Sequence, residues 1–322
     1  MKVSKIVGTG LAVLILAGLG FYAWAATGAK GKLSRTYVTH TVEFPIPFPL
    51  SPEEVGRERL TAETADHLAR ARALERGKHL IQSRYACGEC HGRDFSGGVM
   101  IDDAAIGRLL GPNLTGGAGG RTAGFRSADW DRIVRHGVKP DGTPALMPSV
   151  DFQQMSDQEL SDIVFYIRSQ PSVDHLVPAP KLGPLGKILV ATGNFTLSAD
   201  LIGSHVTPHP PTPPEPAPTV VFGRHLANTC TGCHRADLGG GPIVGGDPSW
   251  PPAANLTQDT SGVHGWTFAQ FETAMREGKR PDGGMLRAPM SSVVRYAKNM
   301  TGVEMEALWN YLRSLPPVSN RK

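Results

Sequence analysis

Cys87-Gly88-Glu89-Cys90-His91 and Cys230-Thr231-Gly232-Cys233-His234 together hold all four cysteines of this 322-residue chain. The C-x-x-C-H pentapeptide is the attachment signature of a c-type haem. Cys87 and Cys90, and likewise Cys230 and Cys233, can form thioethers to the two vinyl groups of one porphyrin. His91 and His234 then stand beside the iron as proximal ligands. A single motif would serve as well for half of a zinc site, which needs two further ligands. Two motifs with no cysteine left over favour two covalently bound haem c groups.

The sequence around the motifs occurs twice. Gly77-Lys78-His79-Leu80 answers Gly223-Arg224-His225-Leu226, and Pro112-Asn113-Leu114-Thr115 answers Ala254-Asn255-Leu256-Thr257. Trp130 recurs as Trp266, and the segment Arg135 to Gly142 recurs as Arg276 to Gly283, each ending in Pro-Asp-Gly. Tyr166 to Pro171 recurs as Tyr311 to Pro316, with all offsets between 136 and 146 residues. The economical explanation is one domain in two copies. We expect an export signal or membrane anchor at 1–32, a tether and leading helix at 33–69, a first domain at 70–175, a proline-rich connector at 176–219 and a second domain at 220–322.

The pattern within each copy is all-α. Ser156-x-x-Glu159 and Thr301-x-x-Glu304 are capping boxes that start a last helix. Leu160, Ile163, Val164 and Ile167 form one apolar stripe, and Met305, Leu308, Trp309 and Leu312 form the other. Pro171 and Pro316 close these helices. A middle helix starts near Ser127, and Thr267-x-x-Gln270 caps its equivalent. Gly/Pro-rich loops lie between, and no run of alternating residues argues for strands. Residues 33–51 read as an extended tether, and Pro208 to Pro218 as semi-rigid polyproline II. The more apolar Leu182 to Leu201 is expected to pack against a domain.

Lys2 and Lys5 precede an uncharged run from Ile6 to Ala26, 21 residues that as a helix would span about 32 Å. Tyr22 and Trp24 lie where an interfacial belt belongs, which favours an uncleaved anchor. Ala23-Trp24-Ala25 has the form of a signal-peptidase site, and cleavage near Ala25 would release a soluble periplasmic protein. Either way the rest of the chain lies outside the cytoplasm. The net charge of +4 includes Lys2 and Lys5, and no basic tract points to nucleic acid.

The sixth iron ligand separates an electron carrier from an enzyme. Met147 follows His91 by 56 residues and Met290 follows His234 by the same 56. Each lies after a Pro-Asp-Gly turn and before the last helix. A thioether there raises the potential and closes the iron to peroxide and oxygen chemistry. Met155, Met300, Met285 and Met100 are the competing methionines. His136 and His264 would make bis-histidine sites, but neither has a histidine at its aligned position. Pro112 precedes Asn113 in the Pro-Asn-Leu-Thr element, and a backbone carbonyl there could accept the N–H of His91. Asn113, Asn255, Trp130, Trp266, Arg135 and Arg276 are candidates for contact with haem propionates, or for loop and core roles.

At these motifs the chain resembles the membrane-anchored di-haem c-type cytochromes of bacteria. It is also similar to the cytochrome c subunits of alcohol and sugar-acid dehydrogenases. The resemblance covers Gly77 to Pro317 and implies a class I cytochrome c fold for each domain. In that family the distal methionine sits in a Met-Pro element. Met147-Pro148 fits, whereas Met290 is followed by Ser291. The dehydrogenase subunits usually carry three haem domains, and this chain has two. The reading is an electron-transfer protein at the periplasmic face of the inner membrane. Its donor would be a periplasmic dehydrogenase or quinol-oxidising complex, and its acceptor a cytochrome or oxidase. The alternative is a di-haem enzyme, a peroxidase or sulfur-compound dehydrogenase, with an open iron.

Overall fold

The computed structural model describes residues 2–243, 246–247 and 249–319. Helix α1 (Lys2–Leu33) runs unbroken through the apolar segment, and α2 (Pro52–Glu58) follows on a Ser51 capping box. Helix α3 (Ala62–Leu80) starts where the Thr61 hydroxyl accepts from the backbone of Thr64. One π-turn, Ile81–Tyr85, leads from it into α4 (Gly88–His91), which carries the first attachment motif. Helix α5 (Ser127–His136) is the middle helix and α6 (Asp157–Arg168) the last. The box that starts α6 is formed as expected. Ser156 Oγ accepts from the Glu159 N–H at 3.2 Å, and Glu159 Oε2 accepts from the Ser156 N–H at 2.8 Å. Leu160, Ile163, Val164 and Ile167 are all buried, each contributing about 1.5–3 kcal/mol of apolar burial.

The repeated Gly77 explains how α3 and α6 cross. A Cβ at that position would lie 2.1 Å from the Asp162 carbonyl oxygen, so the two backbones touch where only hydrogen fits. Gly223 does the same in the second copy, where a Cβ would lie 1.9 Å from the Ala307 carbonyl oxygen.

A small antiparallel sheet departs from the all-helical expectation of the loops. Strand β1 (Gly98–Asp103) pairs with β2 (Gly107–Gly111), and β2 with the two-residue β3 (Lys181–Leu182). The turn is held by Asp103 Oδ1, which accepts from Ala105 and Ile106 N–H. These strands carry no regular alternation of burial, so periodicity gives no signal for them.

The segment after β3 forms α7 (Pro184–Thr192) and α8 (Ser198–Leu201). Helix α7 packs on the distal part of α1, where Ala25 and Ala29 are buried and Lys32 Nζ donates to the Val190 carbonyl at 2.9 Å. Lys187 Nζ donates to Tyr22 Oη at 3.2 Å across the same contact. By contrast, the large apolar side chains of α1 from Ile6 to Trp24 are exposed. The second copy comprises α9 (Val220–Ala227), α10 (Thr231–His234), α11 (Phe268–Glu277), α12 (Met290–Ala297) and α13 (Gly302–Ser314). Its core gathers Phe222, Leu226, Phe271, Met305, Leu308 and Trp309.

Neither proline-rich segment is a free spacer. Phe44 is buried in the first domain's core and the Ser161 hydroxyl donates to the Pro45 carbonyl at 2.7 Å. The Pro210 and Pro211 carbonyls accept the otherwise unpaired N–H groups of Asp157 and Gln158 at the start of α6. Proline composition does not reveal that these segments are docked.

The two copies meet through a reciprocal pair of contacts. His79 Nε2 lies 2.9 Å from Glu304 of the second copy, and His225 Nε2 lies 2.8 Å from Glu159 of the first. His79 and His225 are repeat equivalents, as are Glu159 and Glu304, so the interface is isologous within one chain. Arg84 joins the second pair, its Nη2 donating to Glu159 Oε1 at 2.7 Å. The attachment motifs lie at this junction. Tyr296 donates its hydroxyl hydrogen to Glu89 of the first motif, and Asp151 packs on Gly232 of the second.

Candidate functional site: two haem-attachment motifs

The first motif lines a cavity of about 520 Å³ bounded by β2, α5 and α6. Cys87, Cys90 and His91 line one side, and Met147 lines it as well. The walls are apolar, with Leu110, Phe125, Phe152, Leu160 and Val164 among them. Hairpin β1–β2 backs the motif so closely that a Cβ on Gly111 would lie 2.0 Å from the Cys90 carbonyl oxygen.

Each histidine is oriented from behind. His91 Nδ1 donates to the Pro112 carbonyl at 3.0 Å, and His234 Nδ1 to the Ala254 carbonyl at 2.7 Å. With Nδ1–H engaged, Nε2 keeps its lone pair for iron. Burial holds both imidazoles below their ordinary range and therefore neutral, against the opposing pull of those carbonyls. Burial also pushes the Cys87 thiol up to about 12 and the Cys230 thiol up to about 11. Among the described residues, the only grouping of three or more His, Cys, Asp or Glu ligand atoms lies away from both motifs.

The first cavity also meets the polar needs of a haem. Trp130 lines it, and its buried Nε1–H has no protein partner. An indole donor left over in an apolar wall suits a propionate oxygen. Arg121 adds a cation to the same lining.

The other repeated polar residues serve the scaffold. Asn113 is fully buried; its Nδ2 donates to the Val173 and His175 carbonyls, and its Oδ1 accepts from Thr115. Asn255 repeats this toward Val318 and Thr257. These asparagines staple the returning chain to the proximal loop and leave nothing for a propionate. Arg135 is also fully buried, bridging Asp131, Asp157 and the Met155 carbonyl, and Arg276 holds Glu272 and the Met300 carbonyl in the same way. Met155 belongs to the first core and, like Met100, lines the same cavity as Met147; Met300 belongs to the second core, and Met285 is 60% exposed. His136 is buried in a histidine cluster outside the cavity that holds His91 and Met147.

In the second copy, His234 is buried and Cys230 packs against the core. Met290 is half-buried and opens α12, two helical turns where the first copy has only the 3₁₀ turn Ser149–Asp151 after Met147. The absent Met-Pro element thus marks a real difference in the two loops.

Two helical units, each presenting C-x-x-C-H with its histidine fixed from behind, define a protein that binds haem covalently. The cytochrome c family profile matches residues 74–171 and 221–316. The chain therefore belongs to the cytochrome c family and carries two covalently bound haem c groups. It is 27% identical over 259 residues to the cytochrome c subunit of the quinone alcohol dehydrogenase of Gluconacetobacter polyoxogenes, covering 71% of this chain and 52% of that protein. The subunit of the same name from Gluconobacter oxydans is 23% identical over 281 residues, covering 77% and 56%. A 100-residue stretch is 37% identical to a nicotinate dehydrogenase component of Pseudomonas putida, covering 29% of this chain and 8% of that protein. The chain thus spans about half the length of the quinone alcohol dehydrogenase subunits it matches. As a di-haem c-type cytochrome it transfers electrons.

Proposed function

We propose that this cytochrome is a single-pass protein of the bacterial inner membrane, with both haem domains in the periplasm. Its electron donor is a dehydrogenase or quinol-oxidising complex and its acceptor another cytochrome or an oxidase. The observation that carries the anchor is the continuity of α1 with the folded protein. Ala25 and Ala29 are buried, Leu33 lines the first cavity, and Ile6 to Trp24 leave their apolar side chains uncovered. Cleavage near Ala25 would cut a helix whose next two turns pack on α7. The exposed stretch is close to the length that spans a bilayer.

Haem when bound supplies the one-electron iron couple. The chain's residues hold and close the iron: His91 and Met147 in the first domain, His234 and Met290 in the second. The walls of the first pocket are largely apolar, and Trp130 would donate to a haem propionate at its edge. The reciprocal junction places both attachment motifs between the domains, which favours exchange within the molecule.

The decisive experiment is twofold. Alkaline washing of membranes should leave the protein in the pellet, with residues preceding Ala25 retained in the mature chain. The reduced protein should show two low-spin six-coordinate haems that do not bind carbon monoxide. A soluble mature form starting near Ala26 would overturn the anchor. One iron open to carbon monoxide would favour the enzyme reading.

A further inference from the structure

We propose that His40, His136, His209 and Asp131 form a site for one divalent transition ion of the zinc class. The ion would clip the segment after α1 and the proline-rich segment onto the first haem domain. One ligand atom from each residue lies within 4.8 Å of the other three. The separations are 3.3 Å from His136 Nε2 to His209 Nε2, 3.5 Å from His136 Nε2 to Asp131 Oδ2, 3.7 Å from His40 Nε2 to Asp131 Oδ2 and 3.8 Å from His209 Nε2 to Asp131 Oδ1. A tetrahedral ion with bonds of about 2.0–2.1 Å has neighbouring ligand atoms roughly 3.3–3.4 Å apart. Three separations, from His136 Nε2 to His209 Nε2 and from Asp131 Oδ2 to His136 and His40, already approach the edges of a coordination tetrahedron, and the remaining ones stay within 4.8 Å.

The surrounding hydrogen bonds turn the lone pairs inward. His205 Nε2–H donates to the Ala199 carbonyl at 3.0 Å, which leaves its Nδ1 as an acceptor. His136 Nδ1–H donates to that Nδ1 at 3.2 Å. His40 Nδ1–H donates to the His205 carbonyl at 3.3 Å. Both His40 and His136 thus face the centre through an unprotonated Nε2. Outer hydrogen bonds of this kind fix ligand histidines in metal sites.

Two buried atoms at the centre have no hydrogen-bond partner: His40 Nε2 and Asp131 Oδ2, the latter on a side chain only 1% exposed. Orphaned buried acceptors are costly, and converging acceptors repel each other unless a cation lies between them. Arg135 does not fill that role. Its guanidinium engages Asp131 through Oδ1 and also bonds Asp157, so two carboxylates share one positive charge and Oδ2 remains.

The cluster is foreign to the duplicated haem scaffold. Asp131 and His136 correspond to Glu272 and Glu277 in the second copy, which has no such histidine group. Its members come from three separate segments: His40 after α1, Asp131 and His136 on α5, and His209 beside the prolines that cap α6. The reach across sequence is what a clip requires.

Detergent-solubilised, haem-loaded full-length protein, stripped with chelator and dialysed against Zn(II), tests this. Mass spectrometry of metal content should find one zinc for every two irons after desalting. Zinc X-ray absorption should show four nitrogen or oxygen ligands at about 2.0–2.1 Å with no sulfur. His209→Ala and His40→Gln, both outside the haem cavity, should each weaken zinc binding by about 100-fold or more while the iron content and visible spectrum stay unchanged. Zinc should also slow proteolysis within residues 205–218. No retained zinc, sulfur in its shell, or binding that survives loss of His209 and of His40 would overturn the proposal.

Discussion

Replacing Glu159 by glutamine tests the junction between the two domains most sharply. Glu159 is 4% exposed and Arg84 5%, so their ion pair is shielded from water. The two carboxylate oxygens divide their work: Oε1 accepts from Arg84 and His225, and Oε2 accepts from the Ser156 backbone and hydroxyl. Glutamine has one oxygen and can keep the α6 capping box. It then leaves Arg84 and His225 without their acceptor. Burial alone would raise this carboxyl, but Arg84 and the hydrogen bond from His225 overcome it and hold the group down at about 2, against an ordinary 4.5. At 1.36 kcal/mol per pH unit, that depression corresponds to about 3 kcal/mol. Breaking a buried pair by removing one partner costs about 3–5 kcal/mol, in agreement. Because the folded value is depressed, the contribution is fully present above about pH 4.5 and is lost as pH falls toward 2. Urea unfolding of the haem-loaded protein, followed by far-ultraviolet circular dichroism, should show E159Q about 3 kcal/mol less stable at pH 7, with the gap shrinking between pH 5 and pH 3. A loss below about 1 kcal/mol at pH 7, or a gap that ignores pH, would refute the reasoning. Glu304→Gln supplies the internal control. Its partner His79 is 34% exposed, and solvent screening should keep the loss near or below about 1 kcal/mol.

Met147→Ala should open the first iron, giving carbon monoxide binding at one haem of two and a lower potential there; Met290→Ala should do the same at the second. If Met290→Ala leaves both haem spectra intact, the ligand assignment in the second domain is wrong. Gly77→Ala places a Cβ 2.1 Å from a backbone oxygen and should lower stability by about 3 kcal/mol, read as a melting temperature several degrees lower. Asp151 is pushed up to about 6 by burial, and its Oδ1 has no partner. Its raised folded value costs stability as pH climbs through 6, so Asp151→Asn should raise the melting temperature at pH 7.5 and change little at pH 4.

The features legible in the sequence were local ones. C-x-x-C-H specifies covalent chemistry within five residues. The boxes at Ser156 and Thr301 and the stripes behind them declare helix starts and buried faces through a 3.6-residue period. The duplication is visible because both copies keep their order, and the Pro112 carbonyl behind His91 follows from it. What spacing does not encode is which distant surfaces meet. Asn113 looks equally suited to a propionate or a turn until Val173 and His175 are brought beside it. His79 and His225 are merely repeated histidines until the copies face each other and hand them Glu304 and Glu159. His40, Asp131, His136 and His209 lie up to 169 positions apart and share no motif. Periodicity and capping report how a segment satisfies its own backbone. Contacts across domains depend on how the closed chain buries its remaining polar groups, and only the tertiary structure decides that.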